Sequence, residues 1–242
     1  MTNIQDKVVI VTGAGSGAGR AIARSFVSSG AKVAFLGRRL NTLEDATRDL
    51  ATDQVMICTC DVADRNLVNS TVEQIVSNFG HVDILVNNAG TNTDPRSVAD
   101  TKPDDWDSVL QINLTGTFNM IRAVLPHMRE KRSGTIINIA SIAGINASKL
   151  AGAAYSASKR AMVSLSDSLN DEEWEYGIRA SAICPGEINT PLIDKRASPV
   201  SEERRAKMLQ PEDIANSVLF VANLPAHVIV PLMVVKPLYQ VD

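Results

Sequence analysis

Seven short apolar runs punctuate the chain, and a helical pattern separates each run from the next. The runs are rich in Val and Ile and lack polar/apolar alternation, which is typical of strands buried on both faces of a parallel sheet. The predicted strands are residues 8–11, 32–37, 55–58, 84–87, 135–140, 180–183 and 232–235. The predicted helices are residues 18–29, 41–51, 65–79, 104–130, 153–176 and 212–223. This strict alternation predicts an α/β fold, a doubly wound, seven-stranded parallel sheet with helices on both faces, as a single domain over residues 1–242.

Bulk properties narrow the possible partners of such a domain. A net charge of −3 argues against nucleic acid as a partner, because proteins that bind nucleic acid usually carry a basic face. No apolar stretch approaches the ~20 residues that span a bilayer, and residues 1–6 carry no signal-peptide pattern. Three cysteines give no disulfide framework and the three histidines are scattered, so we expect a cytoplasmic protein without a metal site.

One long irregular stretch interrupts the alternation, at about residues 190–210. It includes the sequence SPVSEERRAK, which is too polar for a core. Loops of this length in compact domains are usually functional lids or disordered segments. We therefore predict a substrate lid here, built from loops or short helices.

A glycine-rich segment, TGAGSGAG at residues 12–19, follows the first predicted strand and opens the first predicted helix. Glycine permits tight turns and lets backbone amides approach a phosphate group closely. The free N–H groups and the positive dipole end of the following helix also favour phosphate. This context predicts a Rossmann-type dinucleotide site, with a glycine turn that binds no ligand as the alternative. The contacts are expected from Gly13, Gly15, Ser16, Gly17 and Gly19.

The end of the second strand, FLGRR, bears on which nicotinamide cofactor binds. An acidic residue there bonds the adenosine ribose and repels a 2′-phosphate, whereas an arginine accommodates the phosphate. Gly37 stands at the expected acidic position, and Arg38 and Arg39 follow it. Guanidinium groups bind phosphate by charge and by bidentate hydrogen bonds, so NADP(H) is favoured and NAD(H) stays possible. The alternative is that the two arginines form a solvated helix start.

Six further motifs, together with this segment, make the sequence resemble the short-chain dehydrogenase/reductase (SDR) family over nearly its whole length. In chain order the motifs are TGAGSGAG, CDV, NNAG, INL, ASIAG, YSASK and CPGEINT. The resemblance implies further cofactor contacts from Asp61, Val62, Asn87, Ala89, Gly90, Pro185, Gly186, Ile188 and Thr190. It also implies a catalytic group composed of Asn113, Ser141, Tyr155 and Lys159.

Alcohol oxidation and carbonyl reduction need these residue types. A nicotinamide handles the hydride, and the protein handles a proton and the charge on oxygen. Tyr155 can transfer the proton, and Lys159, one helical turn on, can lower the phenol pKa from its usual value of about 10. Ser141 would hold the substrate oxygen by a hydrogen bond. By resemblance, Tyr155 and Lys159 also contact the cofactor, and Asn113 holds a water of a proton relay. In isolation, a Tyr and a Lys at this spacing are more often a surface pair.

The ending LPAHVIVPLMVVKPLYQVD departs from the glycine-rich tail of many family members. Together with LGRR and PGEINTPL, it resembles the branch of NADP-dependent 3-hydroxy acid and serine dehydrogenases. That likeness implies a small hydroxy acid, or a similar small polar carbonyl compound, as the substrate. Arg96, Lys149, Lys195 and Arg196 are candidates for holding a carboxylate, and a solvated loop charge is an equal alternative for each.

The predicted helices at residues 104–130 and 153–176 carry apolar residues beyond what one sheet face would bury. By resemblance they pack against a second subunit, which predicts a homodimer or a homotetramer. Two other functions remain open on the same scaffold: a non-catalytic regulator that senses the cofactor, and an epimerase or dehydratase. The complete Asn–Ser–Tyr–Lys set favours an NAD(P)-dependent oxidoreductase that acts on a secondary alcohol or its ketone.

Overall fold

Seven strands form one parallel sheet in the computed structural model, which describes residues 4–196 and 198–240. The strands are β1 (Val8–Thr12), β2 (Lys32–Gly37), β3 (Val55–Thr59), β4 (Ile84–Asn87), β5 (Gly134–Ile139), β6 (Ile178–Pro185) and β7 (Leu232–Val235). Their order across the sheet is β3-β2-β1-β4-β5-β6-β7. The predicted doubly wound α/β fold is confirmed. Residues 1–3, 197 and 241–242 of the predicted domain lie outside the described residues.

Helices connect the strands on both sides of the sheet. They are α1 (Gly17–Ser28), α2 (Leu40–Thr47), α3 (Arg65–Phe79), α4 (Pro103–Leu110), α5 (Gly116–Lys131), α6 (Ala153–Glu173), α7 (Glu202–Lys207) and α8 (Pro211–Ala222). The prediction of one helix over residues 104–130 was incomplete, because a π-helical turn at Gln111–Thr115 separates α4 from α5. The prediction for residues 153–176 extended beyond α6, which gives way to a 3₁₀ turn at Trp174–Tyr176.

The two sides of β1 show why the predicted strands are apolar throughout. Val9 and Val11 pack on one side, in a core shared with α1 and α8. Val8 and Ile10 pack on the other side, in a core shared with α3 and α5. Because side chains alternate between the two faces and helices cover both, every position of the strand is buried.

The direction of the connections reverses between β1 and β4, which lie side by side in the sheet. From β1 the chain proceeds outward to β2 and β3, then crosses back to β4 and continues toward β7. The loops after β1 and β4 therefore diverge and leave a crevice at the carboxyl ends of the strands. The glycine-rich segment and the NNAG motif follow these two strands, so the topology brings both to the crevice.

The lid predicted at about residues 190–210 contains two short helical pieces, a 3₁₀ turn at Pro191–Lys195 and α7. Its two ends are joined by backbone hydrogen bonds. Asn189 N donates to Leu209 O at 2.8 Å, and Leu209 N donates to Glu187 O at 3.0 Å. This pairing closes the segment into a loop that begins and ends at the carboxyl end of β6.

Within the described ranges, no helix has the length and apolar character that crossing a membrane requires. In the same ranges, no three His, Cys, Asp or Glu side chains are grouped so that they could hold a metal ion.

Candidate active site

The crevice contains a long cleft, here called the glycine cleft, that runs from the second strand to the start of α6. Residues of several predicted motifs line it, including Gly13, Gly15, Ser16, Gly17, Arg38, Arg39, Asp61, Val62, Ala89, Gly90, Tyr155, Lys159, Ile188 and Thr190. These residues lie between positions 13 and 190 of the chain, and the fold alone brings them to one surface. The predicted cofactor set is therefore largely assembled in one place.

The floor of the glycine cleft depends on glycine at two positions. Gly13 has φ +67°, and a Cβ there would lie 3.0 Å from Asn88 Nδ2. A Cβ on Gly19 would lie 2.3 Å from the carbonyl oxygen of Gly13. Gly19 thus allows α1 to approach the turn closely, and this packing role differs from the predicted direct contact. The turn leaves space for a group that backbone N–H donors can bind.

The amino terminus of α1 has the features of an anion site. Ser16 is the N-cap residue, yet its side chain makes no capping hydrogen bond. No acidic residue lies in the first turn of this helix. The hydroxyl and the first backbone N–H groups are therefore free to bind a phosphate at the positive end of the helix dipole.

Two residues outside the predicted set join the ends of β1 and β4. Thr12 Oγ1 accepts hydrogen bonds from the backbone N–H groups of Asn88 and Ala89, both at 3.0 Å. Asn88 Nδ2 in turn donates to Thr12 O at 3.0 Å, and Asn88 lines the cleft. By contrast, Asn87 is only 2% exposed and donates to Asn138 Oδ1 at 2.9 Å. Of the two asparagines in NNAG, the fold places Asn88 in the cleft and Asn87 in the interior, where it braces β4 against β5.

Arg38 and Arg39 stand at the open end of the glycine cleft and are both exposed. Neither side chain forms an ion pair or a hydrogen bond with another described residue. Asp61, on the same part of the wall, accepts a hydrogen bond from Ala63 N at 3.0 Å. Two unpaired guanidinium groups at the end of β2 fit a phosphate group on the ribose.

The amino-terminal turns of α6 carry Tyr155 and Lys159 on one face, as the spacing predicted. Lys159 is 3% exposed, and its Nζ donates to the carbonyl oxygen of Ile139 at 2.8 Å. Burial lowers the pKa of Lys159 to about 8. The amine is therefore anchored at the end of β5 and remains mostly protonated at neutral pH.

Burial raises the pKa of Tyr155, and two neighbours act against this effect. One is a hydrogen bond with Ser141, and the other is the positive charge of Arg96. The groups that lower the phenol pKa in this geometry are thus Ser141 and Arg96, whereas the sequence predicted Lys159 for this role. Ser141 lies just after β5 and also accepts a hydrogen bond from Ala143 N at 3.1 Å, which fixes its side chain.

Asn113 lies within the π-helical turn and is fully buried. Its Oδ1 accepts from Thr91 N at 2.7 Å, and its Nδ2 donates to Thr91 O at 3.0 Å and to Ser158 Oγ at 3.0 Å. The amide thus joins the loop after β4 to α6, next to Lys159. π-Helical turns are rare and are frequently found at functional sites.

A second cavity, here called the side cavity, opens beside Tyr155 and under the lid. It is lined by Ser141, Tyr155, Arg96, Arg196, Glu187 and Gln240, among others. Tyr155, Ile188, Thr190 and Leu192 line both the side cavity and the glycine cleft. The phenol therefore lies where the two spaces meet. Gly186 lines the side cavity as well, beside the end of β6, where Pro185 lies.

The four predicted carboxylate-binding cations are distributed unequally. Arg96 and Arg196 line the side cavity. Lys195 lines the glycine cleft, where its Nζ donates to Thr91 Oγ1 at 2.7 Å. Lys149 lines an outer pocket, which Arg96 and Arg196 also line and Tyr155 does not. The structure thus brings two of the four next to Ser141 and Tyr155.

A long glycine-lined cleft that meets a second cavity at a half-buried tyrosine is compatible with an oxidoreductase. Residues 7–200 match the family described as short chain dehydrogenase, and the chain belongs to this family. An uncharacterized oxidoreductase of Staphylococcus aureus strain MRSA252 is 37% identical over 237 residues, which cover 98% of this chain and 100% of the relative. An uncharacterized oxidoreductase of Staphylococcus epidermidis is 31% identical over the same length and coverage.

Solved structures agree with this assignment. A 3-ketoacyl-(acyl-carrier-protein) reductase from Brucella melitensis, complexed with NADH, superposes with a TM-score of 0.89 at 30% identity and covers 98% of this chain and 100% of its own. Serine dehydrogenase from Escherichia coli superposes with a TM-score of 0.84 at 31% identity and covers 97% and 100%. The predicted family is confirmed, and oxidoreductases of different substrates share this fold.

Proposed function

We propose that this protein is an NADP(H)-preferring dehydrogenase/reductase that transfers a hydride between the nicotinamide and a small secondary alcohol or ketone. One observation carries the proposal: Tyr155 lines both the glycine cleft and the side cavity. A proton donor at that junction can reach a substrate in the side cavity while a cofactor occupies the cleft. Ser141 lines the same cavity and supplies a hydroxyl beside the phenol.

The residues of the glycine cleft fit a nicotinamide dinucleotide. Gly13, Gly15, Ser16 and Gly17 would hold the phosphates, Asp61 and Val62 the adenine, and Ile188 and Thr190 the nicotinamide end. All of these residues line the cleft. Such a cofactor, when bound, supplies the hydride donor or acceptor.

The protein itself handles the proton. In the reductive direction, Tyr155 O–H donates a proton to the carbonyl oxygen, while Ser141 donates a hydrogen bond to the same oxygen. In the oxidative direction, the phenolate accepts the hydroxyl proton. Burial disfavours that phenolate, and the hydrogen bond from Ser141 and the charge of Arg96 offset part of the cost. Asn113 keeps the loop after β4 and the start of α6 in register, and this position suits the predicted relay of protons to solvent.

The preference for NADP(H) rests on Arg38 and Arg39. Both are exposed beside the ribose end of the cleft and lack partners among the described residues. Gly37 leaves no carboxylate there to repel a 2′-phosphate. The complex of the Brucella melitensis reductase contains NADH, so NAD(H) is the alternative that a direct comparison of the two cofactors must test.

Arg96 is the cation best placed to hold an acidic substrate. Its guanidinium donates to three backbone carbonyl oxygens, those of Thr93, Leu150 and Lys195. Arg96 also forms a long ion pair with Asp94, in which Nε and Oδ1 are 3.9 Å apart. Neutral carbonyls and one long ion pair match the charge of this half-buried guanidinium only in part, which favours a carboxylate in the side cavity. A small hydroxy acid or β-oxo acid is therefore the proposed substrate class.

The proposed assembly is a homodimer or homotetramer in the cytoplasm. A groove between α5 and α6 is lined by Phe118, Ile121, Leu125 and Leu165, and Phe118 is 40% exposed. A groove with these apolar side chains and a charged rim fits the packing of the same two helices from a second subunit. Light scattering on the purified protein would measure the mass directly, and a monomer would contradict this part of the proposal.

The activity itself is tested by following reduced-nicotinamide absorbance with NADPH and NADH. The panel contains small ketones, β-keto esters, semialdehydes and hydroxy acids. Turnover of at least one ketone or secondary alcohol is expected. Cofactor binding without turnover of any of these would contradict the proposal and favour the regulator.

A further inference from the structure

Glu187 has no role in the chemistry described above, yet it is a buried acid on the wall of the side cavity. It follows Pro185, the last residue of β6, and Gly186, and it is only 7% exposed. It lines the side cavity together with Arg196 and Gln240. An ionised carboxylate is seldom buried unless other groups match its charge, so its partners indicate what it does.

The Glu187 carboxylate binds three side chains from distant segments. Arg196 Nη1, in the lid, lies 2.9 Å from Oε1. Arg204, on α7, places its Nη2 3.1 and 3.0 Å from the two carboxylate oxygens. The hydroxyl of Tyr239 donates to Oε2 at 2.5 Å. Burial would raise the pKa of Glu187, but the bonds from Tyr239 and the two arginines hold it below the usual value, so the group stays ionised.

The backbone around Glu187 is tied to the same segments. Its N–H donates to Gln240 Oε1 at 3.0 Å, and its carbonyl accepts from Leu209 N at 3.0 Å. The 3₁₀ turn at Leu238–Gln240 packs so closely that a Cβ on Gly186 would lie 2.3 Å from Gln240 Oε1. The unusual ending PLYQ noted in the sequence is thus part of the wall of the side cavity.

We propose that Glu187 is a positioning residue that assembles the substrate-binding wall. Its single carboxylate joins the start of the lid at Arg196, the helix α7 at Arg204, and the 3₁₀ turn at Tyr239. Arg196 and Gln240, which face the side cavity, are held in place through this junction. The consequence for substrate affinity rests on the proposed function, whereas the junction itself does not.

The experiment compares the wild-type protein with Glu187→Gln, Arg204→Met and the double variant. Acetoacetate and its methyl ester serve as probes with NADPH. Glu187→Gln should raise KM about tenfold or more for both probes, because breaking a buried ion pair leaves uncompensated charge and releases the wall. The rate constant kcat and the Kd of NADPH should change less than about threefold, because the groups that transfer the proton are untouched. The double variant should resemble Glu187→Gln alone, since both changes break the same ion pair.

Limited trypsin digestion supplies a readout that needs no activity. Cleavage after Arg204, Arg205 and Lys207, identified by mass spectrometry, should be faster in Glu187→Gln than in the wild type. Tyr239→Phe, which removes only a hydroxyl, should move KM and cleavage in the same direction by a smaller factor. Glu212→Gln, an exposed carboxylate on α8, is the matched control and should match the wild type in every measurement.

Several outcomes would overturn the inference. Unchanged KM and unchanged lid cleavage in Glu187→Gln would show that the junction does not hold the wall. A loss in kcat at constant KM would also contradict the proposal. So would a double variant in which the effects of Glu187→Gln and Arg204→Met on KM add in full. If Glu187→Gln does not fold, Arg204→Met and Tyr239→Phe decide through the same measurements. If the wild-type protein turns over neither these two probes nor any other ketone, the proposed function is wrong. The trypsin digestion then tests the Glu187 junction by itself.

Discussion

The Nζ of Lys159 lies 5.7 Å from the centre of the Tyr155 ring and donates its hydrogen bond to Ile139 O. The two residues thus share a helix face, but the lysine is fixed by the end of β5 and not by the phenol hydroxyl. A buried ammonium bound to a neutral carbonyl is a charge that the fold tolerates at a cost. This relationship predicts a conflict between stability and activity.

Replacing Lys159 with Met should stabilise the protein and abolish turnover. Burial lowers the pKa of Lys159 from 10.5 to about 8, so the folded state holds this proton less tightly than the unfolded state. At 1.36 kcal/mol per pKa unit, the destabilisation is about 3 kcal/mol below pH 8, and it fades as the pH rises from about 8 to 10.5. Thermal unfolding at pH 7 should therefore show Tm raised by roughly 5–10 °C.

The same variant measured at about pH 10 provides the control for this prediction. The stability gain should shrink there, because the wild-type lysine is then neutral in the folded state. A gain that is independent of pH, or a lower Tm at pH 7, would show that the lysine charge is not the source of the cost.

Replacing Tyr155 with Phe should reduce kcat by about 10²–10⁴-fold, because it removes the phenol hydroxyl that lies where the two cavities meet. The Kd of NADPH, measured by fluorescence, should change little. Tyr176→Phe, in the 3₁₀ turn after α6, is the matched control and should keep wild-type rates. Retained turnover in Tyr155→Phe would remove this residue from the mechanism.

Replacing Arg38 and Arg39 with Ser should weaken NADPH binding by roughly 10- to 100-fold, the loss typical of one or two charge-assisted hydrogen bonds. NADH binding should be nearly unaffected, because the lost contacts are to the 2′-phosphate. Arg48→Ser removes a charge at the other end of α2 and serves as the comparison. Equal losses for both cofactors, or a wild-type preference for NADH, would contradict the assignment.

Replacing Arg96 with Met should lower kcat/KM for acetoacetate relative to its methyl ester by roughly 10- to 100-fold. The ratio between the acid and the ester is the informative quantity, because Arg96 also holds three backbone carbonyls and its loss affects both probes. Lys149→Met should leave the ratio unchanged, since Lys149 lies in the outer pocket. A shift in the ratio for Lys149→Met alone would place the carboxylate elsewhere.

The pH profile of the ester reaction offers a further check on Arg96. The positive charge of this residue opposes the burial that raises the pKa of Tyr155. Oxidation needs the Tyr155 phenolate, so its rate falls at pH values below the pKa of this phenol. In Arg96→Met this pKa should be higher, and oxidation should require a more alkaline solution. A profile that stays in place would show that the charge of Arg96 does not act on the phenol.

Sequence periodicity and motif order determined the sheet, the glycine turn and the positions of Ser141, Tyr155 and Lys159. Strands buried on both faces must be apolar throughout, and a phosphate-binding turn needs glycine where the backbone turns tightly. The local sequence is therefore enough to predict these features. The π-helical turn at Gln111–Thr115 was missed, and the short helices expected in the lid had no predicted bounds, because short elements depend on contacts with other segments.

Only the tertiary structure decided which of several equivalent side chains faces the site. Asn87 and Asn88 are adjacent, and the pairing of β4 with β5 turns the first inward and leaves the second in the glycine cleft. Likewise, four cations were candidates for holding a carboxylate, and the fold places only Arg96 and Arg196 of these four in the side cavity. The role proposed for Glu187 depends on its hydrogen bond with Tyr239, which lies 52 residues away in the sequence. A sequence records which groups exist, but charge pairing acts through distances in space, and the packing of the chain sets those distances.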